Sequence, residues 1–246
     1  MEVYQKSWED VTIEEYKEIV DIKTNTKGYI NVALELLCYL TDSDIWDDMS
    51  TIEIIKKYKE ISWINTIPQN EFKNEILKYS YKDISKLSLS EWIDLDSAIL
   101  ENDIQKICAI LYRQKEIDKW GNVIFEPYIY SPNERKVLFD NIPITSVINT
   151  VELTFKYREN LLSAYKELFE SYEDENLTSD EKEMLSDIEI KQIENQIKND
   201  NRKRNYAWQK LLDDISGGDW SSIPAILELP HTFIFNMRLA KKIFND

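Results

Sequence analysis

PITSVINTVELTFKYRENLLSAYKELFESY, residues 143–172, keeps one helical register longer than any other part of the chain. Every seventh residue from Ile148 is large and apolar, giving Ile148, Phe155, Leu162 and Phe169. A second series, offset by half a heptad, runs Ile144, Val151, Arg158, Tyr165 and Tyr172. Together they form a stripe at 3.5-residue spacing, interrupted only by Arg158, which predicts a long helix with one buried seam. Pro143 suits the start of that helix, because its missing N–H would have no intrahelical partner there. At about 1.5 Å per residue the helix would be roughly 40 Å long, a spine for the rest of the protein.

Working outward from the spine, Ile190, Ile193, Ile197, Trp208, Leu211 and Ile215 recur at similar spacing beyond an acidic connection, Glu173 to Thr178. They describe a return helix antiparallel to the spine. Its middle, Asn199 to Asn205, is polar and holds the basic island Arg202, Lys203 and Arg204, which suits a solvated face or a dock for an acidic partner. A seam of this period serves an intramolecular hairpin as well as a coiled coil between chains, and the matching return helix favours the former. Gly217-Gly218 stop the run, and Trp220 to Phe244 read as one or two terminal helices separated by Pro230.

Upstream, Thr12 followed by Glu15 predicts a capping box opening a helix through Ile13, Tyr16, Ile19 and Val20. A second helix follows Gly28, and a third runs from about Thr51 to Ile64 before Pro68. From Glu71 to Leu95 the helical period fades into alternating pieces, Phe72 to Leu77 and Leu87 to Leu95, that suit a small hairpin. Helical spacing resumes from Asp96 to Tyr112. The stretch Arg113 to Pro132 reads as an extended aromatic loop or a second hairpin turning at Gly121-Asn122. The expected architecture is mainly α: a helical bundle with a long antiparallel helix pair and one or two small β-hairpins. Its segments are an N-terminal helical unit over 1–68, a mixed segment over 69–142 and a helical hairpin with terminal helices over 143–246, or all three in one domain.

Composition narrows function. With 246 residues, 43% hydrophobic and 12% aromatic, the chain can build a sizeable core. Four glycines, spaced too widely for a phosphate-binding loop, argue against nucleotide-loop enzymes. The 46 acidic and 30 basic side chains give a net charge of −16, which disfavours nucleic acid and anionic membranes as partners. No 18-residue apolar run and no basic-then-apolar leader follow Met1, so a cytoplasmic product is expected. Cys38 and Cys108 lie among apolar residues and read as buried free thiols.

The residues that carry chemistry elsewhere are sparse here. His231 is the only histidine and follows Pro230 at a helix start, which suits a partly exposed capping or packing role. Three Cys and His residues in all are too few for a zinc site, and no cofactor is expected. The run Asp42, Asp44, Asp47, Asp48 has Asp47 where a calcium loop needs its sixth-position glycine, and reads as a solvated helix start. Asp94 and Asp96 would share one face of a strand, a pairing that acid and base catalysis can use.

Three short marks carry a resemblance: Trp-Ile-Asp-Leu-Asp at 92–96, Ala-Ile-Leu-Tyr-Arg at 109–113, and Tyr-x-x-x-Glu-Arg ending at Arg135, ahead of Phe139 and a long helix. With Trp-x-x-Val-Thr-x-x-x-Tyr from Trp8 to Tyr16, residues 8–170 are similar to a loose group of tailed-bacteriophage virion and tail-assembly proteins. The resemblance implies a non-enzymatic virion component or tail-assembly chaperone, found in the cytoplasm of an infected bacterium or in the virion. It implies other phage structural proteins as partners, with a homo-oligomer also open. Aromatic density and the spine pattern nominate Trp120, Phe125, Tyr128, Tyr130, Phe155 and Phe169 as partner-contacting residues. The alternative is an acidic regulator that binds a basic DNA-binding protein; an enzyme built on Asp94 and Asp96 is the weaker rival.

Overall fold

The computed structural model describes residues 7–43, 48–128, 132–169 and 208–245, which are mainly helical with small antiparallel sheets. They fall into two compact units, one drawn from residues 1–82 and 98–155 and the other from 83–97 and 156–246.

The first unit opens with three helices, α1 (Ile13–Asn25), α2 (Tyr29–Thr41) and α3 (Thr51–Glu60), with α2 packed against both neighbours. Thr12 and Glu15 form the expected reciprocal cap of α1, and Ser50 and Glu53 repeat it on α3. Each box satisfies orphan N–H groups of a first turn. The third helix is shorter than its pattern predicts, since a 3-10 turn, Ser62–Asn65, takes over after Ile61. Trp8 ties the unit's start to this turn: its indole N–H donates to Thr66 O at 3.1 Å and its ring meets Trp63 edge-on.

Strands β1 (Glu75–Ile76), β2 (Tyr79–Tyr81) and β3 (Tyr112–Arg113) form an antiparallel sheet in that order. Helix α5 (Ile104–Leu111) leads into β3 and is buried along its whole length, so it is the centre of this unit's core. Its N-cap Asp103 accepts the Lys106 N–H and pairs with Lys17 and Lys136. Burial alone would raise the Asp103 pKa, but that hydrogen bond and the two lysines outweigh it and hold the carboxyl below its usual range. Helix α6 (Pro132–Arg135) and the 3-10 turn Lys136–Phe139 pack on α5.

The spine departs from its sequence pattern. Helix α7 covers Ile148–Ala164, 17 residues and about 25 Å, and a turn at Tyr165 separates it from α8 (Lys166–Phe169). Its expected first turn is used otherwise: Ile144 N donates to Val11 O at 2.8 Å and Ile13 N to Ile142 O at 2.9 Å. That bridge holds Pro143 extended, at ψ 132°, so the helix cannot begin there. The buried face also differs, with Thr150 and Thr154 taking core positions and Phe155 only half-buried. Thr150 meets the Tyr112 hydroxyl at 2.7 Å, and the Thr154 hydroxyl donates to Thr150 O at 2.6 Å, so both threonines are satisfied in the core.

In the second unit, helix α4 (Leu89–Leu100) replaces the strand expected over Leu87 to Leu95. Ser88 and Glu91 exchange hydrogen bonds of 2.8 and 3.3 Å, a capping box that outweighs the alternating pattern. Asp94 and Asp96 therefore sit two residues apart on a helix, where they do not share a face. Asp96 instead pairs with Arg158 at 2.6 Å, which explains the charge in the spine's stripe. Residues 208–216 are helical and end at Gly217 in the left-handed region, with Gly218 N donating back to Asp213 O. The return helix over Ile190, Ile193 and Ile197 lies outside the described residues, as do Asp44 and Asp47. A short helix, Ile223–Leu227, and the last helix, His231–Asn245, follow. No helix among the described residues is long and apolar enough to cross a membrane.

Candidate interaction surface

Strands β4 (Lys115–Ile117) and β5 (Val123–Phe125) form a separate hairpin in the first unit, with Lys115 opposite Phe125, Glu116 opposite Ile124 and Ile117 opposite Val123. The turn lies where Gly121-Asn122 places it in the sequence. Asp118 builds it: its carboxylate accepts the backbone N–H groups of Trp120 and Asn122, each at 2.8 Å, and the Asn122 side-chain amide at 3.0 Å. These bonds, led by the Asn122 side chain, hold the Asp118 carboxyl below its ordinary pKa. Gly121, at φ 84°, supplies the left-handed residue that closes the loop.

Strand alternation puts Lys115, Ile117, Val123 and Phe125 on one face and Glu116 and Ile124 on the other. Trp120 at the tip is 75% exposed, Ile117 74%, Val123 58% and Ile124 46%. An isolated two-stranded hairpin is at best marginally stable in water, and contiguous exposed apolar side chains mark contact surfaces. What keeps this hairpin in place is its base rather than its faces.

At the base, Glu126 gathers two arginines. Its Oε1 accepts from Arg135 Nη1 at 2.8 Å and from the Gln114 N–H at 3.2 Å, with Arg113 Nε at 3.8 Å. Arg113 also donates to Glu126 O and Arg135 to Tyr112 O. The guanidinium of Arg113 lies over the Tyr128 ring, 4.9 Å from its centroid, and that of Arg135 over Tyr79 at 5.6 Å. Burial pulls the Arg135 pKa down against the opposing pull of Glu126, but a guanidinium stays charged throughout the physiological range. Lys115 meets Glu75 of β1, adding a second tie. The hairpin is therefore presented in a set direction.

Of the six nominated residues, the hairpin and its base hold Trp120, Phe125 and Tyr128. Phe125 is half-buried, and Tyr128 is half-buried beneath Arg113. Tyr130 lies outside the described residues. Phe155 belongs to α7, a separate element, and Phe169 ends α8, its side chain likewise undescribed. Sequence reasoning missed Ile117, Val123 and Ile124; their signal was the alternation on either side of a turn glycine.

The other nominated chemistry serves packing. His231 is fully buried instead of partly exposed, because it starts the last helix in the heart of the second unit. Its ring stacks on Trp92, with centroids 4.8 Å apart, and Phe235 meets it edge-on. Nδ1 lies 2.9 Å from Leu87 O and Nε2 lies 3.0 Å from the Tyr157 hydroxyl. A neutral ring with its proton on Nδ1 satisfies both neighbours. Burial pushes its pKa down, more than the Leu87 carbonyl and Glu91 pull it up. Neither Cys108 nor Cys38 is in a disulfide; Cys108 is buried, which pushes its thiol pKa up, whereas Cys38 is only half-buried. No cluster of metal-ligating residues occurs among the described residues.

Two of the quoted marks converge on one point, since Arg113 and Arg135 end Ala-Ile-Leu-Tyr-Arg and Tyr-x-x-x-Glu-Arg and both bind Glu126. Trp92 and Asp96 of the remaining central mark anchor His231 and Arg158. No protein-family model matches the chain, and no curated protein or solved structure matches it either.

Proposed function

We propose that this protein works by protein–protein contact, presenting the β4–β5 hairpin to a partner, and that it serves as a bacteriophage virion component or assembly chaperone. The observation that carries the contact reading is the exposed apolar hairpin: Trp120, Ile117 and Val123 are each more than half exposed on a hairpin fixed at its base by Glu126. Tryptophan is among the residues that most often dominate binding energy, and a pre-oriented anchor loses little freedom on binding. The phage assignment rests on the sequence marks, in which Arg113 and Arg135 supply that same base. The net charge of −16 favours one other reading, an acidic regulator of a basic DNA-binding protein.

The test is a photo-reactive phenylalanine analogue placed at position 120 in the native cell, infected where a phage is involved, with the same analogue at exposed Leu138 as control. Cross-links from 120 alone to phage head or tail proteins support the proposal. Cross-links to a basic host DNA-binding protein, lost in high salt, support the regulator. Equal products from both positions overturn the hairpin as the contact surface.

A further inference from the structure

The pairing of the hairpin fixes which backbone groups remain open. Asp118 N donates to Asn122 O and Glu126 N to Gln114 O, each at 2.9 Å. Antiparallel pairs alternate between bonded and non-bonded. Glu116 and Ile124 therefore form the bonded pair between those two, while Ile117 with Val123 and Lys115 with Phe125 are non-bonded. The N–H and C=O groups of Val123 and Phe125 consequently point away from β4. No described strand pairs with that outer edge of β5. Natural edge strands are usually blunted by shortness, lysine, proline or a bulge; β5 is three residues long but carries no lysine, proline or bulge.

We propose that the outer edge of β5 takes up an extended segment of another protein by strand addition, the segment being apolar on one face and basic on the other. The proposal rests on the hairpin being a contact surface and specifies how it makes contact. On one face the added strand would lie beside Val123 and Phe125, with Ile117 one strand further, so apolar side chains belong there. On the other it would lie beside Ile124, with Glu116 one strand further, and Glu116 makes no ion pair with a described residue. A lysine or arginine on that side reaches toward Glu116 across Ile124. The net charge of −16 favours a basic segment during approach and disfavours a second copy of this chain, which carries the same charge. Main-chain bonds then supply the holding force and the alternate side chains the selectivity.

The experiment uses the full chain and three labelled eight-residue probes: one alternating valine and lysine, one alternating valine and glutamate, and the valine–lysine sequence with alternate backbone nitrogens methylated. Fluorescence anisotropy is read against the native protein and Val123→Pro, which removes an outward N–H while leaving Ile117, Trp120 and Phe125 in place. The expected result is binding of the valine–lysine probe, weakened about tenfold or more by Val123→Pro, by N-methylation and by glutamate. N-methylation tests the same bonds without altering the protein, so the outcome stands even if the proline variant misfolds. Equal affinity of the methylated and unmethylated probes overturns strand addition, as does no binding of any probe. Sedimentation showing a native dimer that Val123→Pro dissolves would replace the basic segment by a second copy of the chain and overturn the proposal. If cross-linking from position 120 succeeds while the methylated probe binds unchanged, the contact surface stands and strand addition falls.

Discussion

Arg158→Met tests the second unit most sharply, because it leaves the Asp96 carboxylate in place without its guanidinium. The pair meets at 2.6 Å with side chains 15% and 7% exposed, so neither ion keeps much water. Removing one partner from a buried pair costs about 3–5 kcal/mol, and the residual exposure of Arg158 puts this case near 3 kcal/mol. Replacing both, as Asp96→Leu with Arg158→Met, removes both desolvation penalties and should return stability to within about 1 kcal/mol of the native value. In urea, with a slope of about 2–3 kcal/mol/M, the single variant's midpoint falls by about 1 M and the double variant recovers most of it. A single variant within about 0.5 kcal/mol of native would refute the reasoning, placing the pair among surface bridges that contribute little.

Two further perturbations follow from local geometry. His231 has a folded pKa below its unfolded value of about 6.5, so the unfolded chain binds the proton first as pH falls. The stability it supplies is complete above about pH 6.5 and lost as pH drops toward the folded pKa; urea midpoints from pH 8 to 5 should show that fall, and His231→Gln should flatten it. Leu77 is exposed yet holds φ 54° in the tight turn between β1 and β2. Leu77→Gly should therefore raise thermal stability by about 0.5–1 kcal/mol, the released strain exceeding glycine's entropy cost.

Much of the helical framework is legible because it is written in local terms. Thr12-x-x-Glu15 announces α1, Gly28 precedes α2, and Gly217-Gly218 end the helical residues 208–216 as their freedom at positive φ suggests. The spine's start failed because distant segments competed. Nothing in the spine's period reveals that residues 142–144 are needed as a bridge to residues 11–13. Ser88-x-x-Glu91 did announce α4, but the apolar alternation of Leu87, Leu89, Ile93 and Leu95 read as a strand. The hairpin was half legible: Gly121-Asn122 marked its turn and Trp120 its tip. Its clamp was not, because Arg113, Glu126 and Arg135 converge only through the fold.

The most direct test of the account is affinity capture from the native cell with the variant Ile117→Ser/Trp120→Ser beside the unaltered protein. Both replaced side chains are about three-quarters exposed, so the variant should keep its circular dichroism and its urea midpoint to within about 0.5 kcal/mol. The account predicts that every specific partner of the native protein is lost or weakened by roughly thirtyfold, the effect of removing a dominant contact residue. A folded variant that recovers the same partners in the same amounts would contradict it.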